Sequence, residues 1–202
     1  LHVLEHTENP VNFLFALRRL MNQSTHLLIQ VPTFNRNPLD LLIYDHGTFF
    51  TEESLRRVAS RAGLKVESLE YVAGNKELLA IVSKTDRQDR IQGLNKQKIA
   101  NLGREVSLSI EYLHQIKRRA MALSNGGPVQ VFGSSIGATW VYNELGAQSV
   151  ECFLDQDCDR IGNMFLGKEI RSAEDVDHKR TVFPLDPETR KRILREYGQV
   201  DV

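Results

Sequence analysis

Gly133-Ser134-Ser135-Ile136-Gly137 is the stretch of this 202-residue chain whose spacing first points to chemistry. It follows a short apolar run, Val129 to Phe132, and leads into a helical one. Asp155 comes 22 residues after Gly133, at the end of the next apolar run. A glycine turn between a strand and a helix lets backbone N–H groups and the helix N-terminus face an anion. Three readings stand open. Gly133, Ser134, Ser135 and Ile136 could hold a phosphate or sugar with Asp155 beside it. They could take a dinucleotide such as NAD, with Asp155 on the ribose. Or the turn serves packing alone. The pattern is G-x-x-x-G rather than the full G-x-G-x-x-G of dinucleotide sites.

Other reactive residue types read more plainly. Cys152 falls inside an apolar run and Cys158 has no base near it in sequence. Two cysteines make no disulfide framework, and their spacing fits no zinc motif. Glu5 and His6 are adjacent, yet no second ligand pair lies at helical spacing, so no metal is expected. Lys117-Arg118-Arg119 reads as a solvated helix face, and Trp140 and Tyr142 as helix residues packing on a sheet.

The elements that must carry these residues follow from caps and periodicity. Asn9-Pro10 opens a helix through Leu20, because proline in the first turn gives up no needed N–H. His26 to Val31 reads as a buried strand closed by Pro32. Residues 33–50 form a loop. Thr51 caps a helix to Ala62, which Gly63 closes. Val66 to Val72 and Leu78 to Val82 read as two further strands. From Thr85-Asp86-Arg87-Gln88-Asp89-Arg90 onward the chain is polar and basic. It then becomes a helix with Val106, Ile110, Leu113, Ile116 and Leu123 on one side, ended by Asn125-Gly126-Gly127-Pro128. Val129 to Phe132, a helix from Ala138 to Leu145, and Val150 to Leu154 make a βαβ unit with a parallel pair of strands. The expected fold class is therefore α/β, with boundaries at 1–84, 85–127 and 128–202.

Composition excludes several functions. Lys plus Arg (26) equals Asp plus Glu (26), so a groove built for nucleic acid backbone lacks its basic surplus. No apolar run approaches the ~20 residues of a membrane helix, and the start carries no secretory signal pattern. A cytoplasmic protein is expected, with small-molecule rather than nucleic-acid or membrane partners. The opening Leu1-His2-Val3-Leu4 is apolar from its first residue and reads as the end of a buried strand cut from what preceded it. An exposed sheet edge there predicts self-association.

These pieces in order resemble a known family. His2-Val3-Leu4-Glu5-His6 with Asn9-Pro10, then Leu17-Arg18-Arg19-Leu20 and the strand to Val31-Pro32, resemble the fourth strand end, following helix and fifth strand of a class I S-adenosylmethionine-dependent methyltransferase. His46-Gly47-Thr48-Phe49-Phe50-Thr51, Ser54-Leu55 and Ala62-Gly63-Leu64 resemble a later stretch of the same domain. The resemblance implies S-adenosylmethionine as cofactor, bordered by His2, Val3, Leu4 and His6. The family's glycine-rich cofactor loop has no counterpart in residues 1–84, so this chain is expected to carry only part of that site.

Residues 132–137, Phe153-Leu154-Asp155-Gln156-Asp157 and Gly162 through Gly167-Lys168-Glu169-Ile170 are similar to the C-terminal domain of sugar C-methyltransferases. Ser134 stands where alanine is usual. The implied fold is a partial methyltransferase sheet plus a small Rossmann-like parallel domain joined by a helix. The implied acceptor is a nucleotide-linked sugar, bordered by Gly133, Ser134, Ser135, Ile136 and Asp155. Tyr44-Asp45-His46 parallels a Tyr-x-Glu-His cluster of those enzymes. In that role His46 would remove a proton beside a keto group, Asp45 would orient the imidazole, and Tyr44 would donate to the oxyanion. The alternative is a non-catalytic Rossmann-like module that holds a nucleotide or sugar.

Overall fold

The computed structural model describes residues 1–85 and 96–197. The polar block from Asp86 to Arg90 lies outside the described residues. Two compact units divide the chain, Leu1–Ser109 and Ile110–Val202. That division falls inside one long helix, so the expected linker region is shared between the units.

In the first unit, helix α1 (Pro10–Leu20) starts where Asn9 accepts a hydrogen bond from the Asn12 N–H at 3.0 Å. Strand β1 (His26–Pro32) follows. Helix α2 (Glu52–Arg61) opens on a reciprocal cap between Thr51 and Ser54. Gly63 then turns the chain with φ +75°, a conformation that costs a side-chain-bearing residue ~1–2 kcal/mol. The turn is tied down by Arg18 of α1, whose guanidinium donates to the Gly63 carbonyl at 2.9 Å and the Thr85 carbonyl at 3.1 Å. Strands β2 (Leu64–Val72) and β3 (Glu77–Lys84) complete an antiparallel sheet of order β1-β3-β2. Val31, Leu78, Ala80 and Val82 of the sheet bury against Leu14 of α1 and Leu55 and Ala59 of α2. The apolar spacing of the two helices requires this, since each has one stripe to hide.

The opening residues differ from the expected buried strand end. Leu1 and Val3 are exposed, and a 3-10 turn covers Leu4–His6. His2 ties this segment to β1, donating its N–H to the Gln30 carbonyl at 2.9 Å.

Helix α3 (Lys96–Ser124) carries the chain into the second unit. Strands β4 (Val129–Phe132) and β5 (Val150–Asp155) are parallel, with helix α4 (Ile136–Leu145) between them as expected. α4 begins two residues before Ala138, so Ile136 belongs to its first turn. Beyond Asp155 come β6 (Met164–Phe165), β7 (Lys168–Ser172), β8 (Thr181–Val182) and helix α5 (Pro187–Glu196). The sheet order is β6-β7-β5-β4-β8, parallel except for the β6 edge. Both faces of β4 and β5 are buried: Val131, Phe153 and Ile170 pack beneath α4 and the second half of α3, and Phe132, Cys152 and Leu154 lie against α5. A parallel sheet needs both faces covered in this way. The chain is therefore an α/β protein. Among the described residues no helix is long and apolar enough to cross a membrane.

Candidate functional site

Two segments of the first unit meet where the ionisable side chains collect. The Leu4–His6 turn is fixed by Thr7, whose hydroxyl donates to the Leu4 carbonyl at 2.8 Å. The 33–50 loop is anchored at both ends. Thr33 donates its hydroxyl to the Phe50 carbonyl at 3.0 Å, and Thr48 donates its N–H to the Glu5 carbonyl at 3.2 Å. Between these anchors a 3-10 turn at Pro38–Leu42 buries Asp40, and the Ile43 and His46 N–H groups continue the tight winding. The winding carries His46 back over Asp40.

The result is a cluster of acids and imidazoles. His46 has only 7% of its side chain exposed and Asp40 1%, and His46 Nδ1 lies 2.9 Å from Asp40 Oδ1. Glu5 is equally buried, with His2 Nδ1 at 3.3 Å; the other ring nitrogen of His2 reaches Glu77 at 3.2 Å. The His6 and His46 rings meet edge to face at 4.7 Å. These contacts are close approaches rather than aligned hydrogen bonds: none of the carboxylate oxygens of Glu5 and Asp40 has a hydrogen-bond partner among the described residues. Burial pushes the Asp40 carboxyl above its ordinary value, the His46 ring draws it back, and Glu5 adds to the rise. Buried carboxylates without fixed partners are costly, by roughly 1–3 kcal/mol per unsatisfied group or more when charged, and such cost collects at functional sites.

Asp40, and not Asp45, is thus the acid beside His46. Asp45 is 70% exposed on its side chain and turns toward His6, 3.1 Å from Nδ1. Tyr44 is fully exposed and packs on nothing. The winding at residues 40–46 explains both: adjacent residues on a tight turn point apart, while residues a turn or more distant stack. Of the residues expected to border a cofactor, His2 and His6 reach the cluster, Val3 faces solvent, and Leu4 belongs to the core, 3% exposed. Glu5 and Asp40 are the members that sequence reasoning missed. Their signal was an acid inside an apolar stretch, Val3-Leu4-Glu5 and Leu39-Asp40-Leu41-Leu42.

Glu5, His6 and His46 also offer donor atoms within 4.8 Å of one another, a spread from which three groups could close on a divalent ion. Sequence spacing gave no such set, because the fold brings His46 in from 40 residues away.

In the second unit, Gly133 turns with φ +88° and donates to the Leu154 carbonyl. Ser134 donates its hydroxyl to Asp155, and Arg160 donates to the Ser134 hydroxyl at 2.9 Å. Asp155 accepts in addition from the Asp157 N–H at 3.1 Å. Ser135 stands before α4 in an extended conformation without a side-chain cap, and Ile136 is 39% exposed. The loop and Asp155 are therefore neighbours at the carboxyl ends of two parallel strands, which is where open α/β sheets bind ligands.

The first unit is an α/β layer with a buried carboxylate–imidazole cluster on its loops. Residues 1–69 match the family model described as a methyltransferase domain, and that segment contains Glu5, His6, Asp40 and His46. No curated protein shows a significant match to the chain.

Proposed function

We propose that the chain takes part in methyl transfer from S-adenosylmethionine to a small acceptor, with a carbon of a nucleotide-linked sugar as that acceptor. The observation that carries the reading is the Asp40–His46 pair, buried inside the segment that matches a methyltransferase domain. With Nδ1 held against a carboxylate, His46 presents Nε2 as the basic nitrogen. With the donor bound, such a base would take the proton beside a keto group, and the electron pair left on that carbon would form the new bond to the methyl group as the methyl–sulfur bond breaks and the neutral thioether leaves. The methyl donor supplies an electrophilic methyl on a cationic sulfur, and carboxylate oxygens of Glu5 and Asp40 that lack hydrogen bonds suit a cation.

The test is methyl transfer by the full-length gene product. His46→Ala and Asp40→Asn are expected to lower kcat by ~10²–10⁴-fold, the usual worth of a positioned base. Rates unchanged in both variants would overturn the assignment.

A second reading rests on the other unit. The Ser134–Asp155–Arg160 network at the carboxyl ends of β4 and β5 favours a nucleotide- or sugar-binding Rossmann-like module, acting with or without catalysis in the first unit. Binding of a nucleotide sugar that Asp155→Ala abolishes, with no methyl transfer by the full-length product, would favour this reading.

A further inference from the structure

A cavity of about 230 Å³ opens in the second unit between α3, the β8 segment and α5. It lies apart from the Gly133 turn and draws on none of its residues. Tyr112, Gln115 and Arg119 of α3 line one wall, His178 and Phe183 the floor, and Arg190 of α5 the other wall; no acidic residue lines it. Positions 112, 115 and 119 recur at helical spacing, so one face of α3 is turned to the cavity.

The two arginines that line the cavity differ from their paired neighbours in sequence. In the run Lys117-Arg118-Arg119, Lys117 is ion-paired with Glu144 and Arg118 with Glu111. Arg119 has no carboxylate within ion-pair distance among the described residues. On α5, Arg192 pairs with Glu196 at 3.2 Å, whereas Arg190 has no such partner among the described residues. Asp186, the acid nearest in sequence to Arg190, accepts from the Thr189 N–H at 2.9 Å as the cap of α5 and does not line the cavity. Both arginines that line the cavity stand without an acid at ion-pair distance among the described residues.

His178 adds a polar group of defined state. Its Nε2 lies 2.7 Å from the Tyr197 carbonyl, which can only accept, so Nε2 carries the hydrogen. Nδ1 is buried without a partner, ready to accept from a ligand hydroxyl. Two guanidiniums that match phosphate oxygens in pairs, beside an unclaimed acceptor, define a phosphate-bearing polar ligand. The volume falls below the roughly 300–1,000 Å³ of sites that enclose a drug-sized molecule. It therefore suits a phosphate or pyrophosphate with little attached, rather than a whole dinucleotide.

We propose that the cavity between Arg119 and Arg190 binds the phosphate or pyrophosphate group of a small metabolite. The site is independent of methyl transfer and stands or falls on binding alone.

Calorimetric titration at constant ionic strength tests it, with inorganic pyrophosphate and glucose 1-phosphate as probes and sulfate as the non-specific anion. Saturable binding of at least one probe, tighter than sulfate, is expected. Arg119→Gln and Arg190→Gln should each weaken it about tenfold, the worth of one charge-assisted hydrogen bond, while Arg118→Gln, on a paired residue, leaves it unchanged. Both helices keep their fold on replacement of an exposed arginine, which circular dichroism verifies. Tighter binding of glucose 1-phosphate than of pyrophosphate assigns an organic phosphate; the reverse assigns the inorganic anion. Absence of saturable binding, or binding that neither arginine substitution weakens, would overturn the site.

Discussion

The Oδ1 atom of Asp40 lies 2.9 Å from the Nδ1 atom of His46, and both side chains are withdrawn from solvent. The pair is six residues apart in sequence and is made by a single tight turn. Its energetics are dominated by burial, because Asp40 leaves water without gaining an aligned hydrogen bond.

Burial raises the Asp40 carboxyl above its ordinary 3.8, with Glu5 adding to the rise and His46 and His6 opposing it. A carboxyl whose pKa is higher in the folded chain than in the unfolded one stabilises the fold while protonated. That contribution is complete below pH 3.8 and is lost as pH rises through the folded value. Wild-type stability should therefore fall relative to Asp40→Asn as pH increases from that point. Urea unfolding at a series of pH values measures the difference. A gap between the two proteins that stays constant or grows in favour of wild type would show that pairing, not burial, sets the carboxyl.

At Gly63 two requirements coincide. The backbone sits at φ +75°, and a Cβ there would come 2.7 Å from Arg18 Nε. Gly63→Ala must strain the turn by ~1–2 kcal/mol and displace a guanidinium that holds two carbonyls. The expected loss is about 2–3 kcal/mol in total. Arg18→Ala should remove part of the same interaction, so the double variant falls short of the sum of the singles. Strict additivity in urea unfolding would mean that Arg18 and Gly63 act separately.

How much of this was legible in the sequence depends on how local each cause is. Asn9-Pro10, Thr51 with Ser54, and Gly63 act within a few residues, and the structure places caps and a left-handed turn at those positions. The β4–α4–β5 unit reads out for the same reason, because its strands are continuous apolar runs. β6 and β8 have two residues each, and β7 buries only Ile170, so none carries a periodicity to detect. Helix α5 had its start marked by Asp186-Pro187 but buries only Ile193 and Leu194. At the candidate site, His46 was legible through a resemblance, whereas its true neighbour was not. Choosing Asp40 over the adjacent Asp45 requires knowing that the chain winds through 3-10 geometry there. Likewise the joining of Glu5 to His46 depends on the Thr48-to-Glu5 backbone hydrogen bond, which no spacing rule encodes.

Tyr112 joins packing to titration in the second unit. Its hydroxyl donates to the Leu185 carbonyl at 2.7 Å, and burial pushes its phenol up to about 12, with Arg190 opposing and Asp186 adding to the rise. A phenol that stays neutral in the fold contributes stability that is complete below its ordinary value of 10.0 and is lost as pH climbs toward 12. Ultraviolet difference titration should show one of the five tyrosines ionising after the others, and Tyr112→Phe should remove that late step. The same variant should cost about 1 kcal/mol at neutral pH, the net worth of one hydrogen bond, yet lose less stability than wild type between pH 10 and 12. Because the ring is kept, a much larger neutral-pH loss would point to the Leu185 carbonyl as a pivot of α5 placement. A late-ionising tyrosine that survives Tyr112→Phe would refute the assignment.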